Sequence, residues 1–226
     1  MNNKTILIFL IIALSAIISY FVRKIALDKI SRQLYEAAYV NKDTALFESL
    51  INSLQAQMFI AERSRKIMSL NYYISINDNE KVKDICKTMK SKNLNTNEFM
   101  AFYGSTIGYL CDQGDPYAKD LLNEMKKRYA STKNINELML LNDCQLTYDV
   151  YIDKNTDRIV DIEEILNNEL SDEQRAVYEY RLAKLYYYKN DKTKTRELLK
   201  NAGNHTENKA PRSKIDPILN GNWSLL

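Results

Sequence analysis

Residues 180–202 read YRLAKLYYYKNDKTKTRELLKNA. Leu182, Leu185 and Tyr186 fall on one helical face, Leu198, Leu199 and Ala202 fall on another, and the polar pair Asn190-Asp191 separates them. So short a break predicts two antiparallel helices, and one such hairpin cannot bury its apolar stripe alone. Working outward, polar breaks recur at Asn41-Lys42-Asp43, Asn77-Asp78-Asn79, Gln113-Gly114-Asp115 and Lys154-Asn155-Thr156. Asp43, Asn79 and Asp115 stand 36 residues apart, and the 76 residues from Asp115 to Asp191 hold one more break. One unit is therefore longer by about one helical turn of ~3.6 residues.

The flanks of each break carry helical and not alternating spacing. Ile30, Leu34 and Ala38 precede the first, and Phe47, Leu50 and Leu54 follow it; Leu70 and Ile74, then Val82 and Cys86, flank the second. Phe99, Tyr103 and Leu110, then Leu121 and Met125, flank the third, and Leu141 and Tyr148, then Ile162 and Leu166, the fourth. Ten helices in five hairpins are expected. Thr96-Asn97-Glu98, Asp115-Pro116 and Ser171-Asp172-Glu173 supply capping oxygens, a first-turn proline and first-turn acids where helices should start. With only 5 Gly and 3 Pro in 226 residues, the chain has little material for the many tight turns of a sandwich or barrel.

Tyr180–Ala202 resembles a tetratricopeptide repeat. Leu182, Ala183 and Tyr186 stand where that family keeps a Leu, a small residue and a Tyr in its first helix; Asn190-Asp191 stands at its turn, and Leu199 and Ala202 at its second-helix packing positions. The stretch Gly114–Leu122, GDPYAKDLL, is similar but one residue short. Other units depart further: Tyr35 occupies a small-residue position, Phe47 replaces an Ala, and no unit keeps the first-helix Trp. The resemblance covers residues 25–202. It implies an α-solenoid whose first helices line a surface that binds peptides or partner helices.

Ahead of the repeats, Thr5–Val22 reads TILIFLIIALSAIISYFV, 18 residues without a charge, about 27 Å of helix. The expected fold class is thus all-α: a tail at 1–4, a transmembrane helix at 5–22, the solenoid at 25–202 and a C-terminal tail at 203–226. A cleaved secretory signal is the rival reading of the first segment. Lys4, Arg23 and Lys24 account for the whole formal charge of +3, and residues 25–226 balance at 29 bases and 29 acids. A neutral body lacks the basic excess that neutralises phosphates, so no nucleic-acid partner is expected. Arg23, Lys24, Lys29 and Arg32 on the far flank favour a single-pass protein with a cytoplasmic body, an extracytoplasmic body being the alternative.

The chemistry that would mark an enzyme is missing from the pattern. The only His, His205, lies beyond the last expected helix, which excludes a His-based triad within the repeats and a two-His zinc site. Neither GxxxxGK[ST] nor GxGxxG occurs. Cys86, Cys111 and Cys144 match neither a disulfide framework nor a metal ladder and read as small buried hydrophobes. No cofactor and no metal are expected. Tyr180, Lys184 and Tyr187 form a stripe at i, i+4 and i+7 beside the packing face, and the equivalent stripe in earlier units gives Arg32, Glu36 and Tyr39, then Tyr72. These residues are the expected partner-binding positions, tyrosine combining a rigid ring with a hydroxyl. Gly104 and Gly108 fall on the third unit's stripe and either lower the groove wall or let helices approach closely.

The functional expectation is a membrane-anchored scaffold or adaptor for a protein or peptide partner. Alternatives are an exported quality-control or translocation-associated module and a ligand-sensing solenoid. After Gly203, Pro211 and Pro217 argue against a further long helix, and the apolar end, with Trp223 as anchor, is expected to pack back on the last hairpin.

Overall fold

Five inter-helix turns share one backbone device. Lys42, Asn77, Gly114, Lys154 and Asn190 adopt positive φ, between 51° and 68°, and each is followed by Asp or Asn. The left-handed residue ends one helix, and the N–H after it reaches back to an orphan carbonyl, as Asp78 does to Tyr73 O (2.9 Å) and Asp191 to Tyr186 O (2.9 Å). The carboxylate of that residue then opens the next helix: Asp43, Asp78 and Asp191 accept from the N–H groups of Leu46, Lys81 and Lys194 at 2.9, 3.1 and 2.9 Å. At the other two turns Asp115 and Asn155 accept from Tyr117 and Asp157. The repeating residue of the second turn is therefore Asp78 and not Asn79. Lysine at a left-handed position costs about 1 kcal/mol, so Lys42→Gly should raise the unfolding free energy by roughly 0.5 kcal/mol once glycine's entropy is set against it. Urea denaturation checks this, and a loss of stability would contradict the shared turn.

The computed structural model describes the backbone of residues 3–89, 91, 94–206 and 209–226, with side chains for 12–89, 91, 94–206, 212–224 and 226. Twelve α-helices and no strand occur among the described residues. The chain divides into two compact units, Met1–Asn95 and Thr96–Leu226.

In the first unit, α1 (Asn3–Tyr35) runs into a π-helical turn (Glu36–Val40), followed by α2 (Thr44–Ile51), α3 (Leu54–Phe59), α4 (Glu62–Ser75) and α5 (Asn79–Thr88). Helix α3 is additional to the expected ten; Ser53 starts it by accepting from the Ala56 N–H at 3.1 Å. Helices α2 and α4 meet through a face-to-face stack of Phe47 on Tyr72 (4.1 Å). The Tyr73 hydroxyl donates to Glu48 Oε1 (2.7 Å), and Lys81 joins the same oxygen at 3.3 Å. Those two donors hold the Glu48 carboxyl below its usual range, while burial pushes the Tyr73 phenol up.

No helix of the described residues is long and apolar enough to cross a membrane. The part of the apolar stretch whose side chains are described, Ile12–Val22, gives eleven residues, about 16 Å of helix against ~30 Å of hydrocarbon. Every 18-residue window of α1 from Ile12 onward takes in at least four of Arg23, Lys24, Asp28, Lys29 and Arg32. The side chains of residues 5–11 lie outside the described set. The expected transmembrane helix at Thr5–Val22 and the single-pass membrane localisation are corrected accordingly.

The second unit holds α6 (Thr96–Asp112), α7 (Ala118–Tyr129), α8 (Ile135–Tyr151), α9 (Arg158–Leu166), α10 (Asp172–Tyr188), α11 (Lys192–His205) and α12 (Lys209–Leu219), then a 3-10 turn at Trp223–Leu225. Helix α6 packs on α7 and α8, α8 on α10, and α10 on α9 and α11, so the first helices of successive hairpins touch in order. A Cβ on Gly104 would come within 3.1 Å of Leu140 Cδ1, which marks a close approach of α6 to α8, whereas Gly108 faces open space. Helix α12 forms despite the prolines: Pro211 lies in its first turn, where no intrahelical N–H bond is lost, and Pro217 stands two residues before its end. Its Ile215 and Ile218 are buried with Leu182, Leu185, Leu199 and Ala202.

Candidate functional site

Ser171 opens α10 through a capping box with Gln174. Helices α8, α9 and α11 all pack on α10, so little of its circumference remains open and even its charged residues are enclosed. Each enclosed charge has a partner, as burial requires. Arg181 donates to both oxygens of Asp143, at 2.5 and 3.4 Å, with its guanidinium 5.3 Å from the Tyr178 ring. Glu179 Oε2 meets His205 Nδ1 at 2.8 Å. Lys184, only 8% exposed, donates to the main-chain oxygen of Leu226, and its ammonium lies 4.7 Å from the Tyr151 ring and 5.8 Å from the Tyr180 ring.

Those two rings form part of a cavity of about 300 Å³ lined by Asp112, Tyr151, Ala176, Val177, Tyr180, Lys214 and Ile215. Its walls are mostly apolar. Lys214 and Asp112, 102 residues apart in sequence, form a 2.5 Å ion pair at the cavity. Burial pushes the Tyr180 phenol up to about 12 and raises that of Tyr151, so both hydroxyls stay protonated at neutral pH. The cavity therefore offers neutral aromatic walls beside the Lys214–Asp112 ion pair, a combination suited to an apolar or aromatic group.

Burial pushes Lys184 down to about 8 from 10.5, against the opposing pull of Asp112 and with help from Lys214 and Lys154. The folded chain thus holds this proton less tightly than the unfolded chain does. Unfolding takes up a proton between those two values, so this group's contribution to stability rises with pH through that window and is flat below about 8. Relative to Lys184→Met, the wild-type chain should gain stability from pH 8 to pH 10. Denaturation of both proteins across that range checks the sign, and the subtraction removes the opposite contributions of the buried tyrosines and thiols.

Of the sequence-predicted residues, Tyr180 lines the cavity with Tyr151 and Lys184 is buried against both rings without lining it, while Tyr187 is half-buried and stacks on Trp223 at 6.0 Å. In the first unit, Arg32 and Glu36 form an exposed i,i+4 pair at 3.0 Å, and Tyr39, 46% exposed, lies 5.3 Å from the Tyr35 ring. Tyr72 is fully buried, with its hydroxyl 2.7 Å from that of Thr44, and serves the core. Asp112, Tyr151, Val177 and Lys214 were not singled out by the sequence, because only tertiary packing brings them together. No group of three or more His, Cys, Asp or Glu side chains among the described residues is placed to hold a metal ion. Burial pushes the Cys111 and Cys144 thiols up to about 12, which leaves them unreactive as nucleophiles.

No family model, curated protein or solved structure matches this chain.

Proposed function

We propose that the chain is a protein-binding scaffold or adaptor of tetratricopeptide-like helical hairpins, and that the Tyr151–Tyr180 cavity takes an apolar or aromatic side chain of a protein partner. The observation that carries this reading is the cavity itself, which lies on the first helix of the last hairpin, has mostly apolar walls and carries the half-exposed Val177. Central pockets filled by a large apolar anchor dominate the energetics of protein interfaces. Lys214 supports the reading further, since an acidic residue beside the anchor could share it with Asp112. The recurrent turn device supports the repeat assignment, because it is found wherever one helix of a hairpin folds back on the next.

Val177→Arg tests the proposal with little risk to the fold, because Val177 is 48% exposed. Affinity capture with the wild-type chain should retain a discrete partner that the variant loses, while the thermal unfolding of the two proteins stays similar. Equal capture by both would count against the cavity. A saturable stabilisation by a small apolar acid, with no protein retained, would favour a ligand sensor and overturn the scaffold reading.

A further inference from the structure

On α11, Lys192, Arg196 and Lys200 stand at i, i+4 and i+8, so they share one helix face. All three are exposed, and none forms an ion pair among the described residues. Arg158, Arg181, Lys194 and Lys214 of the same unit each hold a carboxylate at 2.5 to 3.2 Å; what sets the α11 row apart from the unit's other exposed cations is its alignment along one concavity. The three cations surround a concavity of about 470 Å³ completed by Thr193, Glu197 and Trp223. Glu197, the one acid in the lining, pairs with Lys194 at 3.2 Å, so the concavity keeps an excess of cations.

The Trp223 ring is held in place by Tyr187, parallel to it at 6.0 Å and 6°, and by the Arg196 guanidinium at 5.6 Å. The anion preference of this surface comes from the three aligned cations, and the Trp223 ring adds a fixed apolar wall beside them.

We infer that this face of α11 binds an acidic peptide segment in extended conformation, with carboxylates at alternate positions. The spacing supports it. Four helical residues advance about 6 Å, and two residues of extended chain advance about 6.6 Å, so acids at i, i+2 and i+4 of the peptide meet Lys192, Arg196 and Lys200 in turn. Nucleic acid fits less well: residues 25–226 carry no net charge, and Tyr187 and Arg196 already occupy the neighbourhood of the Trp223 ring where a base would stack. This surface is separate from the Tyr151–Tyr180 cavity and does not depend on it.

Trp223 is the only tryptophan, so its fluorescence reports on the surface directly. The test titrates the full chain with a synthetic peptide of alternating Glu and Ser, the same peptide with Gln for Glu, and a single-stranded oligonucleotide of equal charge. The acidic peptide should give a saturable change that weakens with salt, the Gln peptide none, and the oligonucleotide a weaker one. Arg196→Ala combined with Lys200→Ala should weaken the peptide about tenfold or more, with unchanged circular dichroism, whereas Val177→Arg should leave it unaltered. Binding of both peptides alike, tighter binding of the oligonucleotide, no binding of the acidic peptide, or equal affinity in the double variant would each overturn the inference.

Discussion

Phe99→Ala is expected to remove about 3 to 5 kcal/mol from the stability of the Thr96–Leu226 unit. Phe99 is fully buried at the start of α6 and stacks face-to-face on Tyr103 at 4.1 Å and 19°. Tyr129 meets it edge-on at 5.4 Å and 69°, and the Arg128 guanidinium covers its ring at 4.2 Å. Removing the ring therefore opens a cavity among three groups that cannot all close on it, and also forfeits aromatic pairing energy. Because whole domains are stable by about 5 to 15 kcal/mol, such a loss would bring the unit near unfolding at ordinary temperature. Tyr129→Phe is the internal control. The Tyr129 hydroxyl is buried without a hydrogen-bond partner among the described residues, so deleting it should leave stability unchanged or slightly higher. Thermal denaturation of both variants separates ring packing from a general sensitivity of the region.

Asp143→Ala is expected to cost about 2 kcal/mol, less than the roughly 3 to 5 kcal/mol of breaking a fully buried ion pair, because the Asp143 side chain is 42% exposed and water can replace part of it. The cost arises on the other partner, since the Arg181 side chain is only 9% exposed and would keep its charge with no carboxylate. In the wild-type chain Asp143 outweighs burial and raises the Arg181 pKa; in the variant burial acts alone, but a guanidinium's ordinary value lies so far above neutral pH that Arg181 keeps its charge. Replacing both partners, Asp143→Leu with Arg181→Met, should recover most of the loss. Urea denaturation of the single and double variants decides this; a double variant as unstable as the single one would show that the pair is not the source.

The hairpin pattern was legible because polar breaks and helical spacing are local properties. The turns were legible in part: Asn77, Gly114 and Asn190 are residue types that tolerate positive φ, whereas Lys42 and Lys154 give no such signal. Helix α3 was hidden because Leu46–Leu54 continues the helical spacing, yet Asn52-Ser53 interrupts it and Ser53 caps the next helix. Helix α12 is hidden because Pro211 and Pro217 are breakers in a helix interior, whereas here they stand in its first and last turns. Lys184 reads as part of an open stripe because a polar residue at helical spacing signals a solvent-facing position, yet it is buried. Enclosure of α10 by its neighbours is a tertiary fact, and the available hint was that α10 bears apolar residues on nearly all sides, including Ala176, Leu182, Ala183 and Leu185. The cavity residues Asp112 and Lys214 carry no shared local signal, and the fold alone makes them a pair.

A photoreactive amino acid placed at position 177, with the same group at the exposed position 160 on α9 as control, tests the binding cavity most directly. A discrete crosslinked protein is expected from position 177 that is absent from position 160 and is lost when Tyr180→Ala removes one wall of the cavity. Identical crosslinking from both positions, or crosslinks at 177 that persist unchanged in the Tyr180→Ala chain, would contradict a binding role for the cavity.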